Sequence, residues 1–128
     1  MTVEKPDKIT SFTQLRTWQF SREYVTKVYK VTMKFPKEEL FGLTSQIRRS
    51  AVSVPANIAE GFSRAGLKEK AQFYQIRLGS LTETLSHIYI ALDLGYINDQ
   101  ELQEFSTRTE NIHKMLNGLI KSAKGRTP

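Results

Sequence analysis

Cysteine is missing from this chain of 128 residues, and histidine (2), tryptophan (1) and proline (4) are scarce. Without cysteine there is no disulfide framework and no thiolate metal site, which suits a reducing compartment, and a bacterial cytoplasm is the expected location. No uncharged apolar run reaches the roughly 18 residues a membrane helix needs, and the first ten residues, MTVEKPDKIT, carry charges instead of an apolar stretch. Neither a membrane span nor a signal peptide is expected. Strand signals are also sparse, with no sustained alternation of apolar and polar residues bounded by turn residues.

Catalytic and cofactor signatures are equally thin. His87 and His113 fall on different segments, and no His-Glu-x-x-His or Cys/His spacing offers a metal set. Gly61 to Lys68 superficially resembles a phosphate loop, but Gly66-Leu67-Lys68-Glu69 stands where Gly-Lys-Ser/Thr is required, and no strand precedes it. A helix–helix turn accounts for it better. The expectation is a protein that is not an enzyme and holds no cofactor or metal.

What the chain does contain is helical periodicity. Leu67, Ala71, Tyr74, Leu78, Leu81, Leu85, Ile88 and Leu92 recur at alternating spacings of about four and three, which keeps them on one helical stripe. Leu102, Phe105, Thr109, Ile112, Leu116, Leu119 and Ala123 repeat the pattern, with Thr109 its one polar member. Between these segments Gly95 suits a helix C-terminus, and Asn98 to Glu101 reads as a capping box, with Ile97 and Leu102 as its hydrophobic staple. Upstream, Leu40, Leu43, Ile47, Ala51, Val54, Ile58 and Phe62 form a third stripe. Pro55 lies inside it, and the expectation is a bend, not a stop.

The first segment ends at Phe35-Pro36, because a residue before proline avoids helical angles. Its inner face is expected at Trp18, Ser21, Val25, Val28 and Thr32. Helices at about 11–35, 38–62, 66–94 and 98–124, joined by short links, predict one all-α domain over residues 1–128, an antiparallel up-down-up-down four-helix bundle. Gly125 to Pro128 are expected to fray.

Charge is unevenly spread. Residues 1–70 hold 13 basic against 7 acidic side chains, residues 71–110 hold 2 against 6, and residues 111–128 hold 4 against none. Basic ends therefore flank an acidic middle, which can steer an anionic partner or draw like subunits together. Lys27, Lys30 and Lys34, with Lys37 just beyond, make a stripe on the polar face of helix one. A line of mobile ammonium groups suits contact with successive phosphates, and it equally suits a solvated face. Arg48 and Arg49 point about 100° apart, so one is expected to pair with a carboxylate such as Glu60, Glu69 or Glu83 while the other stays free for a partner. Asn57 and Gln46 are expected to bond internally. Phe20, Tyr24 and Val31 widen the apolar arc of helix one, and Phe73, Ile76, Ser80, Glu83, His87, Ile90 and Leu94 form a second, mixed stripe on helix three. Phe20, Tyr24, Val31, Phe73 and Ile76 are the expected oligomer contacts.

The stretch FGLTSQIRRSAVSVPANIAEG (residues 41–61), with LGSLTE (78–83) and LDLGY (92–96), resembles the bacterial four-helix bundle family that includes proteins encoded by intervening sequences in 23S rRNA genes. The resemblance spans nearly the whole chain. It implies an up-and-down bundle that assembles as a homopentamer, with a positive surface suited to RNA or DNA. It also implies kinship with accessory subunits that work beside a reverse transcriptase in diversity-generating retroelements, and it carries over no catalytic activity. It favours nucleic acid over a solvated face for Lys27, Lys30, Lys34 and Lys37, and Arg48 and Arg49 are the further candidate contacts. A protein-interaction scaffold without nucleic-acid binding is the alternative. Weak aromatic interleaving predicts backbone contact with little base preference.

Overall fold

The computed structural model describes residues 9–125. Four helices carry the fold: α1 (Arg16–Thr32), α2 (Leu43–Ser63), α3 (Leu67–Asp93) and α4 (Asp99–Gly125). Side-chain caps mark some of the helix starts, whereas Leu15, Gly42 and Gly66 precede α1, α2 and α3 without one. Before α1, Ser11 and Gln14 form a capping box on a short 3-10 turn, Phe12–Gln14, and extended backbone at Leu15 separates that turn from the helix. This makes α1 begin later than the expected residue 11. Likewise Lys37–Glu39 form a separate 3-10 turn, so α2 begins at Leu43 and not at 38. The helix runs on through Pro55 without stopping. Of the tail expected to fray, Gly125 ends α4, and residues 126–128 lie outside the described residues.

The α3–α4 turn follows its sequence signals closely. Gly95 takes φ +79°, and the Tyr96 N–H reaches back to the Ala91 carbonyl at 2.9 Å. Asn98 Oδ1 accepts the Glu101 N–H at 2.8 Å while Glu101 Oε1 accepts the Asn98 N–H at 3.0 Å. Two donors that a helix start leaves open are thereby satisfied.

Two sets of neighbours fix the topology. At one end Leu15, Phe62, Leu67, Tyr74, Leu119 and Ala123 line one cavity, so the starts of α1 and α3 lie beside the ends of α2 and α4. At the other end the rings of Phe35 and Tyr96 are 5.2 Å apart, and the Tyr96 hydroxyl donates to Glu39 at 2.8 Å. Successive helices therefore alternate in direction. The core between them is apolar: Val28, Ile47, Ala51, Ile58, Leu81, Ile88, Ala91 and Leu116 have no exposed surface. At roughly 1.5–3 kcal/mol for each large side chain removed from water, this seam is the main source of stability.

The inner face of α1 differs from the one expected. Thr17, Ser21, Tyr24, Val28, Val31 and Thr32 are buried, whereas Trp18 and Val25 are half-exposed. The helix is thus turned by about 50° relative to the expected face, at about 100° per residue. Tyr24 and Val31 are core residues, which corrects their assignment to an oligomer contact. Polar groups on this face are bonded: the Ser21 and Thr32 hydroxyls donate to the carbonyls of Thr17 and Val28, each at 2.7 Å.

Candidate nucleic-acid interface

Turning α1 by that amount carries its lysine stripe to the flank of the core, beside α4. Lys34 Nζ lies 2.6 Å from Glu101 Oε2, and Lys27 Nζ lies 3.8 Å from Glu104 Oε2. Arg108 on α4 answers Glu23 on α1 at 3.8 Å. The Lys34 hydrogen bond holds the Glu101 carboxyl below the usual carboxylate range, aided by the Asn98 N–H and opposed by partial burial. Two of the four lysines read as a phosphate-facing stripe are therefore neutralised within the chain. Lys30 and Lys37 are exposed, with no acidic partner among the described residues.

Arg48 is also engaged internally. Its Nε donates to Thr32 Oγ1 at 2.9 Å, and its guanidinium lies 4.5 Å from the centre of the Tyr29 ring. Among the described residues neither Arg48 nor Arg49 pairs with a carboxylate, contrary to expectation; Glu60 pairs with Arg64 at 2.6 Å and Glu83 lies 3.4 Å from His87. Asn57 does bond within its helix, to the Ser53 carbonyl at 2.7 Å, whereas Gln46 is exposed and has no such bond among the described residues.

Arg49 opens instead onto a groove of about 560 Å³ between α2 and α3, shared with Phe41, Ser45, Gln46, Ser53, Arg77, Ser80 and Glu83. Close helix packing builds its floor. The Ser50 and Thr84 hydroxyls bond at 2.7 Å beside it, and further along the same helix pair, outside the groove, Gly61 lets the backbones approach so nearly that a Cβ there would meet Phe73 Cβ at 2.9 Å. Arg77 Nε is buried without a hydrogen-bond partner, and the hydroxyls of Ser45 and Ser80 have none among the described residues. Phe41 is 93% exposed. The sequence left open which of Arg48 and Arg49 would be free, and it did not single out Phe41, Ser45 or Arg77 as site residues. Their common four- and three-residue spacings (45, 49 and 53 on α2, with 41 just before its start; 77, 80 and 83 on α3) were the available signal.

The remaining expected contacts divide. Ile76 is 59% exposed, while Phe73 is half-buried under the Arg64 guanidinium, 4.7 Å from its ring centre. Phe20 is half-buried at a second groove, about 450 Å³, between α1 and α4, with Gln100, Gln103, Glu104 and Arg108. Among the described residues no group of three or more His, Cys, Asp or Glu could hold a metal ion, and no helix is long and apolar enough to cross a membrane.

The family model for the 23S rRNA-intervening sequence protein matches residues 13–118, which include all four helices except the end of α4. No curated protein matches the chain. Among solved structures, a protein of unknown function from the S23 ribosomal protein family of Bacteroides thetaiotaomicron superposes with a TM-score of 0.73 at 23% identity. The alignment covers 82% of this chain and 98% of that one.

Proposed function

Because the chain belongs to the 23S rRNA-intervening sequence protein family, we propose that it is a non-catalytic helical bundle that binds RNA through its unpaired cations. The observation that carries this reading is the separation of the basic groups into two sets. Lys27, Lys34 and Arg48 are held by partners within the chain, while Lys30, Lys37, Arg49 and Arg77 have no acidic partner among the described residues. An unpaired ammonium or guanidinium gains most from a phosphate, since each contact releases a condensed counterion without breaking an existing ion pair. Assembly as a homo-oligomer, a pentamer by family analogy, through Ile76, Phe73 and Phe20 would repeat a weak patch around a ring and raise avidity. A reverse transcriptase or another ribonucleoprotein enzyme beside it would be recognised from the neighbouring genes.

Titration of fluorescent RNA at several salt concentrations tests the reading. Affinity should fall steeply with salt, and reversing Lys30, Lys37 and Arg49 to Glu should abolish binding. Binding indifferent to both would overturn it.

The α1–α4 groove favours a second reading. With Phe20 at its wall and Gln100, Gln103 and Glu104 at its rim, it suits an amphipathic helix of a protein partner. Purification from the native cell separates the two readings: a high ratio of absorbance at 260 to 280 nm supports RNA, and a stoichiometric protein band supports a scaffold.

A further inference from the structure

The groove between α2 and α3 combines features that a merely basic surface does not need. Phe41 stands at one end with nearly its whole ring in water. Arg49 and Arg77 reach the same groove from different helices, and neither has an ion pair or hydrogen bond to its guanidinium among the described residues. Arg77 Nε is in addition shielded from solvent, so its N–H awaits an acceptor that the chain does not provide. Ser45, Ser80 and Gln46 add unpaired hydroxyl and amide groups. From Ser45 to Ser53 the α2 wall rises about 12 Å at 1.5 Å per residue. That is about three or four nucleotides at the roughly 3.4 Å spacing of a stacked strand.

We infer that this groove is a single-stranded RNA site, in which Phe41 stacks on an unpaired base while Arg49 and Arg77 hold flanking phosphates. The inference rests on the RNA-binding reading above and names its site and the form of the ligand. An exposed ring can stack only on a base whose face is open, and in a duplex those faces are covered by neighbouring pairs. A guanidinium presents a planar fork of donors that matches two phosphate oxygens, which would satisfy the shielded N–H of Arg77. Glu83 discriminates further. Its carboxylate lies in the groove, 3.4 Å from His87 Nε2, and would repel a purely anionic ligand such as polyphosphate or an acidic peptide. A nucleotide strand also carries base amino groups, which a carboxylate accepts.

The full chain is titrated with a fluorescein-labelled single-stranded RNA 12-mer and with its blunt duplex, and complex formation is followed by anisotropy. The single strand should bind more tightly. Phe41→Ala should weaken single-strand binding by roughly 5- to 150-fold, the effect of losing one stacked base, while Phe41→Trp retains it. Arg77→Gln and Arg49→Gln should each lower affinity and reduce the salt slope by about 0.7. Duplex binding should not respond to Phe41→Ala. Circular dichroism melts and light scattering accompany each variant, so that loss of fold or of assembly is recognised.

If the wild-type chain binds RNA but ignores all the groove substitutions, the groove is not the site and the RNA-binding reading survives through Lys30 and Lys37. If Phe41→Ala changes the mass in solution and leaves RNA affinity unchanged, the ring is a contact between copies and the inference is overturned. If the wild type binds no RNA, both readings are overturned.

Discussion

Tyr24 on α1 and Thr109 on α4 share a hydrogen bond of 2.9 Å inside the core, across a sequence separation of 85 residues. Thr109 is the one polar member of an otherwise apolar stripe, and this bond is why it is there. Burial pushes the Tyr24 hydroxyl up to about 12, with the Thr109 bond pulling slightly the other way. Thr109→Val would strand a buried hydroxyl and should cost about 1–3 kcal/mol in urea denaturation. Adding Tyr24→Phe removes the stranded group, so the double variant should be more stable than Thr109→Val alone. Equal stabilities would show that the stranded hydroxyl costs nothing.

The same tyrosine makes an alkaline prediction. A hydroxyl whose folded pKa lies above its unfolded value favours the fold fully below the unfolded value, and that contribution is lost as pH rises through the folded one. Between pH 10 and about 12 the unfolded chain ionises Tyr24 and the folded chain does not. Stability should fall across this window by up to about 3 kcal/mol from this group. Denaturation at a series of alkaline pH values should show a shallower fall for Tyr24→Phe.

Gly61 marks the closest approach of α2 to α3. A Cβ there would lie 2.9 Å from Phe73 Cβ and 3.0 Å from Tyr74 Cε1, and the first of these atoms cannot swing aside. Gly61→Ala should therefore destabilise the bundle by roughly 1–3 kcal/mol. Gly118, also mid-helix, meets nothing within 4 Å, so Gly118→Ala should stabilise by up to about 1 kcal/mol through helix propensity alone. Thermal melts of the two variants should shift in opposite directions.

The bundle was legible in the sequence because its signals are local. Three of the four apolar stripes recur at helical spacing, and Gly95, Asn98 and Glu101 punctuate the last turn within seven residues. The orientation of α1 was not legible. Its apolar residues spread over too wide an arc to choose between Trp18 and Val25 on one side and Tyr24 and Val31 on the other, and packing against α4 decides for the second pair. That choice governs the site. It moves Lys27 and Lys34 within reach of Glu104 and Glu101, residues about 70 positions away whose proximity no periodicity reveals. The α2–α3 groove was hidden for a related reason, since Arg49 and Arg77 share it only once two helices are in register.

Acid should weaken the contact between α1 and α4. The Glu101 carboxyl is held low chiefly by the Lys34 hydrogen bond, so its contribution is present above the unfolded pKa and lost as pH falls through the folded one. Glu101→Gln keeps an acceptor for the Asn98 N–H but removes the charge, and should cost up to about 1 kcal/mol at pH 7 for this partly exposed pair. The two stability curves should converge as the pH drops below the carboxylate range. A constant gap down to the lowest pH would place the cost in the cap and not in the ion pair.

The lysines of α1 should separate into two functional classes. Reversing Lys27 and Lys34 to Glu sets like charges against Glu104 and Glu101, which lowers stability by roughly 1 kcal/mol or more and opens the α1–α4 seam. Reversing Lys30 and Lys37 breaks no ion pair, so the melting temperature should hardly move. RNA affinity should respond in the opposite sense. Loss of Lys30 and Lys37 removes two phosphate contacts and should flatten the dependence of log K on log salt by about 1.4 for a single strand. Salt titrations and thermal melts on the same two double variants measure both effects. Should Lys27 and Lys34 prove to govern the salt slope while Lys30 and Lys37 do not, RNA would be displacing Glu101 and Glu104 from their partners, and the ion pairs would be competitors of the ligand.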